Sequence, residues 1–372
     1  LSKRFYRPEL DVIRFVGFLC VFIHHSMARV PLVPGKPSVM VAVANAFAFG
    51  LCLFFVLSAY LIATLLMREK DQTGTIALPQ FYTRRILRIW PLYFLALLGA
   101  MAWSAHLGEF HADRTWFLAA FLMSANFVPW PDTIVQHLWS ISIEEQFYVI
   151  LPGFVRKASR RGLLIFAVAM IVAANAVLAY FGIIHADTDQ RVWSNTIVQF
   201  EMFAGGILLA LHHYGRETIF KSMGQRILAA GFLPVAWFLA AYVFRIKGIW
   251  QPALGPVSLC VGYALVALSC CLLITSVMGL HKWPQWTIFM GKVSYGLYVF
   301  HKPVIYFVAQ YGNFVPKIFV KIIELAITSL LAWLSYRFFE TPFLRLKGRF
   351  EIVKSRPVND SELKEKSVEI GA

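Results

Sequence analysis

Residues 7–26 read RPELDVIRFVGFLCVFIHHS, an apolar run that carries an arginine at 14 and two histidines at 24 and 25. Wound as an α-helix, the run puts Arg14 and His25 on one face, roughly 16 Å apart along the axis at about 1.5 Å of rise per residue. His24 points about 100° away, so only one of the two histidines shares the Arg14 face. A charge and a titratable base are expensive inside hydrocarbon, and where they persist they mark a candidate functional site. Asp11 stands three residues before Arg14 and can pair with it near the polar end of the helix. That pair is either an interfacial anchor or, together with His25, one end of a functional path.

Outward from this stretch the 372-residue chain keeps the same character, with 59% apolar, 16% aromatic and only 15% charged residues. Such a balance excludes an ordinary water-soluble domain. Ten apolar runs, near 10–33, 39–67, 89–107, 136–155, 162–184, 196–213, 227–244, 253–279, 287–310 and 318–340, are long enough for a hydrocarbon layer of about 30 Å. The expected fold is all-α, a polytopic membrane bundle of about ten transmembrane helices. No internal repeat or low-complexity block interrupts it.

The net charge of +15 does not point to nucleic acid, because the basic residues segregate along the chain. With the N-terminus in the cytoplasm, twenty-three Lys and Arg fall on cytoplasmic segments and six (Lys36, Arg114, Arg191, Arg245, Lys247, Lys317) on the opposite side. The positive-inside rule therefore predicts cytoplasmic termini. The short run 115–128 is expected outside or re-entrant, since a further span there would export the cluster Arg156, Lys157, Arg160 and Arg161. The first run lacks a small-residue cleavage site after it and is expected to be retained as a helix. Residues 1–340 read as the transmembrane domain. Within 341–372, RLKGRFEIVKSR reads as a basic juxtamembrane stretch drawn to anionic headgroups, and NDSELKEKSVEIGA as a disordered tail. Cys20, Cys52, Cys260, Cys270 and Cys271 all lie within expected spans, so neither a disulfide nor a metal framework is expected.

Further polar residues inside the runs form three constellations. In HLWSISIEEQFYVILP (137–152), His137, Ser140, Glu144 and Tyr148 recur at helical steps as one polar stripe, expected to open toward the external side. The two acids are either a solvated helix end or a site in which Glu144, in line with Ser140, has a specific partner. In FYTRRILRIWP (81–91), read as a cytoplasmic loop, Arg84, Arg85 and Arg88 are either topological charge or, with Arg14, a set of guanidinium forks suited to phosphate. In FMGKVSYGLYVFHKPV (289–304), Ser294, Tyr295 and His301 lie in one span, and Pro303 frees a carbonyl for His301 or Lys302 to recognise. Ser58 and Tyr60 read as interhelical hydrogen bonders, Glu201 sits beside Gly205 and Gly206, and Arg337 and Glu340 read as a structural i, i+3 ion pair.

Taken together, the stretches 7–26, FFVLSAYLI (54–62), 81–91, 137–152, VSYGLYVFHKP (293–303) and FFETP (338–342) resemble, in order, the acyltransferase 3 family of integral-membrane acyltransferases. Ala59 departs from the glycine common after Ser58, and the arginine often found before Glu201 is missing. The resemblance is to the form without an appended external hydrolase-like domain. It implies an acyl-CoA donor, acetyl-CoA foremost, and a hydroxyl acceptor on a cell-envelope glycan or small glycoside. Under it Arg14, Arg85 and Arg88 hold the coenzyme A phosphates, and His25 is either the general base or a covalent acyl carrier. Glu144 orients or stabilises an imidazole, and Ser140, Tyr148 and His301 contact the acceptor. No permanently bound cofactor and no metal are implied, and the expected location is a bacterial cytoplasmic membrane. The rival reading of the same intramembrane charges is a proton-coupled transporter or flippase for a sugar-containing substrate.

Overall fold

The computed structural model describes residues 5–27, 39–216, 219–247, 254–311 and 316–353. Among these residues the chain is helical and contains no β-strand. In chain order the helices are α1 (Pro8–Met27), α2 (Val39–Ala46), α3 (Gly50–Thr73), α4 (Leu78–His106), α5 (Phe110–Phe121), α6 (Trp139–Lys157) and α7 (Arg160–Ile183). They continue as α8 (Thr196–His213), α9 (Met223–Tyr242), α10 (Pro256–Val277), α11 (Gln285–Lys292), α12 (Ser294–Tyr311), α13 (Lys317–Leu334) and α14 (Thr341–Gly348).

Seven segments are long and apolar enough to cross a membrane: Pro8–Met27, Val39–Thr73, Leu78–His106, Arg160–Ile183, Met223–Tyr242, Pro256–Val277 and Lys317–Gly348. The expected runs at 136–155, 196–213 and 287–310 also fold as helices, namely α6, α8 and the α11–α12 pair, with more polar residues among them. The molecule is thus a polytopic helical membrane protein. The last residues of the first expected run (28–33), the basic residues Lys3, Arg4 and Lys36, and the expected disordered tail lie outside the described residues.

Local chemistry sets the helix ends. Ser159 caps α7 by accepting from the Gly162 amide at 3.1 Å, and Ser222 forms a capping box with Gln225 at the start of α9. Thr73 ends α3 against Gly74, whose φ of 76° is open to glycine without a Cβ clash. Lys70 donates to the Val155 and Ala158 carbonyls at 2.9 and 2.8 Å, so a cation satisfies the carboxyl end of α6.

Small residues fix the close crossings. A Cβ on Gly50 would lie 2.6 Å from the Gly17 carbonyl, and one on Gly206 would lie 2.3 Å from the Val56 carbonyl, so α3 is wedged between α1 and α8. Its buried face, including Cys52, Phe55, Val56, Ala59 and Ala63, forms the centre of the packed core. All five cysteines are free thiols.

Four expectations change in detail. The arginine stretch is not a loop: α4 starts at Leu78, with Pro79 in its first turn, and carries Arg84, Arg85 and Arg88 on helix. The run 115–128 becomes the twelve-residue α5, folded back on α4 through the Tyr93 hydroxyl, which donates to the Ala120 carbonyl at 2.8 Å. Residues 335–340 form a π-helical turn, so Arg337 and Glu340 fall out of i, i+3 register. Arg337 is exposed and makes no ion pair among the described residues, while Glu340 accepts from Ser335 Oγ at 3.1 Å. Beyond that turn, α14 packs on α4 and buries Leu344 and Lys347, so this part of the basic stretch lies against the protein body.

Candidate functional site

Helices α1, α3, α4, α6, α11, α12 and α14 surround a cavity of about 370 Å³. Arg14, Arg85, Arg88, Ser140, Glu144 and Tyr148, singled out in the sequence on three different segments, all line it. The stripe on α6 therefore shares one chamber with the arginines of the basic end and does not open on the opposite end. Arg7, Lys292 and Lys347 add three cations to the wall, against the two carboxylates Asp11 and Glu144. Nothing in the hydropathy pattern separates these three from ordinary loop charge. The α3 side of the cavity is apolar, with Leu57, Leu61 and Leu65.

Arg14, Arg84 and Arg85 are held differently. Arg14 Nη1 donates to Asp11 Oδ1 at 2.6 Å, the pairing expected from their spacing. Asp11 also accepts from the Tyr6 hydroxyl at 3.1 Å, and burial together with that carboxylate pushes the phenol's pKa upward. The Arg85 guanidinium lies 5.7 Å from the Tyr148 ring centre and 5.7 Å from that of Phe81, with Nε buried and unpartnered. Arg84 instead serves the scaffold, donating to Glu69 Oε2 at 3.0 Å and to the Phe350 carbonyl at 2.7 Å.

The two adjacent acids also separate. Glu144 Oε2 accepts from the Tyr148 hydroxyl at 3.4 Å, and Tyr148 lies 2.5 Å from Ser58 Oγ. Glu145 accepts from Trp90 Nε1 at 3.2 Å. No hydrogen bond joins Glu144 to a histidine among the described residues; the partner of His25 is His301. His25 Nδ1 and His301 Nε2 are 2.9 Å apart, and His301 Nδ1 lies 2.6 Å from the Tyr298 carbonyl. His137 Nε2 lies 2.9 Å from that same carbonyl. Three imidazoles from α1, α12 and the turn Gln136–Leu138 thus converge on one point, with ring centres 4.8 to 6.5 Å apart.

The wall between chamber and histidines is thin. Tyr298 and Ser140 line the cavity, and their hydroxyls lie 2.5 Å apart. The Tyr298 hydroxyl also reaches the His137 carbonyl at 3.0 Å. Tyr298 therefore faces the chamber with its side chain and anchors His137 and His301 with its backbone. The convergence of His137 and His301 was missed in the sequence, because they lie 164 positions apart and only the fold joins them. Lys302, beside His301, donates to Gln136 Oε1 at 2.9 Å.

At the end opposite the basic loops, Lys247 sits 5.2 Å from the Trp193 ring centre and 5.8 Å from that of Trp130. Burial pushes its amine down to about 7. Glu201, by contrast, lies outside the chamber on α8 with Oε2 buried and unpartnered.

This geometry defines an integral-membrane protein with a cationic chamber at one end and a buried histidine cluster behind its inner wall. The chain belongs to the acyltransferase 3 family: the family's profile, described as an acyltransferase domain, matches residues 7–338. Among similar proteins are O-acetyltransferase OatA of Staphylococcus aureus strain NCTC 8325 and a protein named as an O-acetyltransferase in strain MSSA476. Each is 27% identical across 92% of this chain, and the chain spans 58% of the length of each. No solved structure matches the chain at a significant level.

Proposed function

We propose that the protein moves an acyl group, acetyl in the first instance, from acyl-CoA to a hydroxyl of a cell-envelope glycan or other glycosylated acceptor. The observation that carries this reading is the chamber itself. Arg14, Arg85 and Arg88 line it with Lys292 and Lys347, and Tyr298, at its inner wall, is bonded through its backbone to the histidine pair. Guanidinium forks at one end suit the phosphates of coenzyme A. The roughly 16 Å from Arg14 to His25 matches the reach of a pantetheine arm that carries its thioester toward the middle of the membrane.

There the His25 imidazole removes the proton from the acceptor hydroxyl. The hydroxyl oxygen bonds to the thioester carbonyl carbon, the carbon–sulfur bond breaks, and the thiolate leaves with the proton that His25 returns. Ser140 and Tyr148 offer hydroxyls to the reacting groups, and Glu144 supplies a carboxylate beside the arginines. The matched relatives are bacterial, and the segregation of basic residues agrees with a cytoplasmic membrane in which the basic end faces the cytoplasm.

The test uses the purified full chain in vesicles with radiolabelled acetyl-CoA and a soluble glycan acceptor. Labelled ester is expected from the parent, and a fall of at least about a hundredfold from His25→Ala at equal folded yield. Uptake of label without turnover, or transfer by His25→Ala at the parental rate, refutes the proposal.

A further inference from the structure

The histidine cluster contains more information than the proximity of three rings, because each of its hydrogen bonds has a direction. A backbone carbonyl only accepts, so His301 Nδ1, 2.6 Å from the Tyr298 oxygen, carries a hydrogen. A neutral imidazole has one N–H and one lone pair, which leaves His301 Nε2 as an acceptor. The atom 2.9 Å from it is His25 Nδ1, and a bond between them requires that His25 Nδ1 donate. The lone pair of His25 is then on Nε2.

We infer that His301 is a positioning residue that holds His25 as its Nδ1–H tautomer, so that Nε2 is the basic atom presented to the acceptor. The inference rests on the acyl-transfer reading for its catalytic consequence, although the hydrogen-bond chain stands on geometry alone. Both nitrogens of His301 are engaged, which leaves neither for the acceptor contact expected from the sequence.

The surroundings support the neutral chain. His301 is fully buried, Phe18 stands edge-on to its ring at 6.1 Å, and no carboxylate contacts any of the three imidazoles among the described residues. The anchoring carbonyl is itself fixed. His137 donates to it at 2.9 Å from a different element, and Pro303, lacking an amide hydrogen, leaves the neighbouring Val299 carbonyl without its helical partner and close to the His137 ring. During transfer the acceptor proton moves to His25 Nε2 and then to the departing thiolate. His301 keeps its own proton throughout, and its lone pair holds the donor face of the imidazolium.

The experiment is nitrogen-15 NMR of the full chain in lipid nanodiscs with labelled histidine, His25 being assigned by its loss in His25→Ala. The Nδ1–H tautomer is expected at His25 in the parent and is expected to be lost in His301→Leu. In parallel, kcat for His301→Leu is expected to fall by about a hundredfold with KM for acetyl-CoA within about twofold. His301→Gln, whose Oε1 can accept from His25, is expected to recover at least about tenfold of that loss. An Nε2–H tautomer at His25 in the parent overturns the inference, as does a glutamine variant that folds and is no better than leucine. Undiminished transfer by His25→Ala with the expected parental tautomer overturns the acyl-transfer role of His25 and leaves the pairing with His301 intact.

Discussion

Arg84 and Arg85 stand side by side on α4, yet only Arg85 faces the chamber. Arg85→Ala is expected to raise KM for acetyl-CoA about tenfold, the equivalent of about 1.4 kcal/mol, with a smaller effect on kcat. Arg84→Ala is expected to leave KM unchanged and to destabilise the fold by about 3 kcal/mol, because it strands the buried Glu69 carboxylate. Steady-state kinetics and thermal unfolding in one detergent separate the two. The sequence placed Arg85 and Arg88 correctly on one face, since that follows from helical spacing. It could not assign Arg84 to Glu69, because the partner comes from the preceding helix. It also counted Lys247 as an ordinary external charge, whereas the fold buries it beside two indole rings. Periodicity reports which residues share a face; it does not report what the fold brings to that face.

At the scale of elements, every expected apolar run lies largely on helix where the residues are described, because a chain in lipid has to satisfy its backbone internally. Helix ends were less legible. Hydropathy marks where a helix meets lipid, and α4 begins about three turns before the apolar run at 89, passing through polar residues with Pro79 in its first turn. Likewise the ninth run divides at Val293 into α11 and α12, a break that leaves its apolar pattern unchanged. The contact of α11 with α1 depends on one atom's absence. A Cβ on Gly291 would lie 1.9 Å from the carbonyl oxygen of Asp11, the residue that holds Arg14. Gly291→Ala is therefore expected to destabilise the protein by about 1–3 kcal/mol, measured by thermal unfolding, with a larger KM for acetyl-CoA as Arg14 shifts. A variant as stable as the parent, with unchanged KM, contradicts that packing.

For the whole molecule, segregated charge makes the orientation in the membrane testable. Single cysteines at the exposed positions Lys157 and Lys221 are expected to react with an impermeant maleimide only from the cytoplasmic side, and cysteines at the exposed positions Asp132 and Arg191 only from the other. Reaction of all four from one side overturns the topology. That orientation sets the meaning of the hydroxyl pair between Ser140 and Tyr298, which separates the chamber from the histidines. A thioester is prone to be lost to water, and in the expected orientation the chamber lies on the cytoplasmic, wet side. Under the proposed acyl transfer, the closed pair of hydroxyls stands between the activated carbonyl and the base, and the two meet only when that pair parts. On that reading the pair guards yield per donor consumed: a protein in which it leaked would spend its donor on water and deliver little of its acyl group.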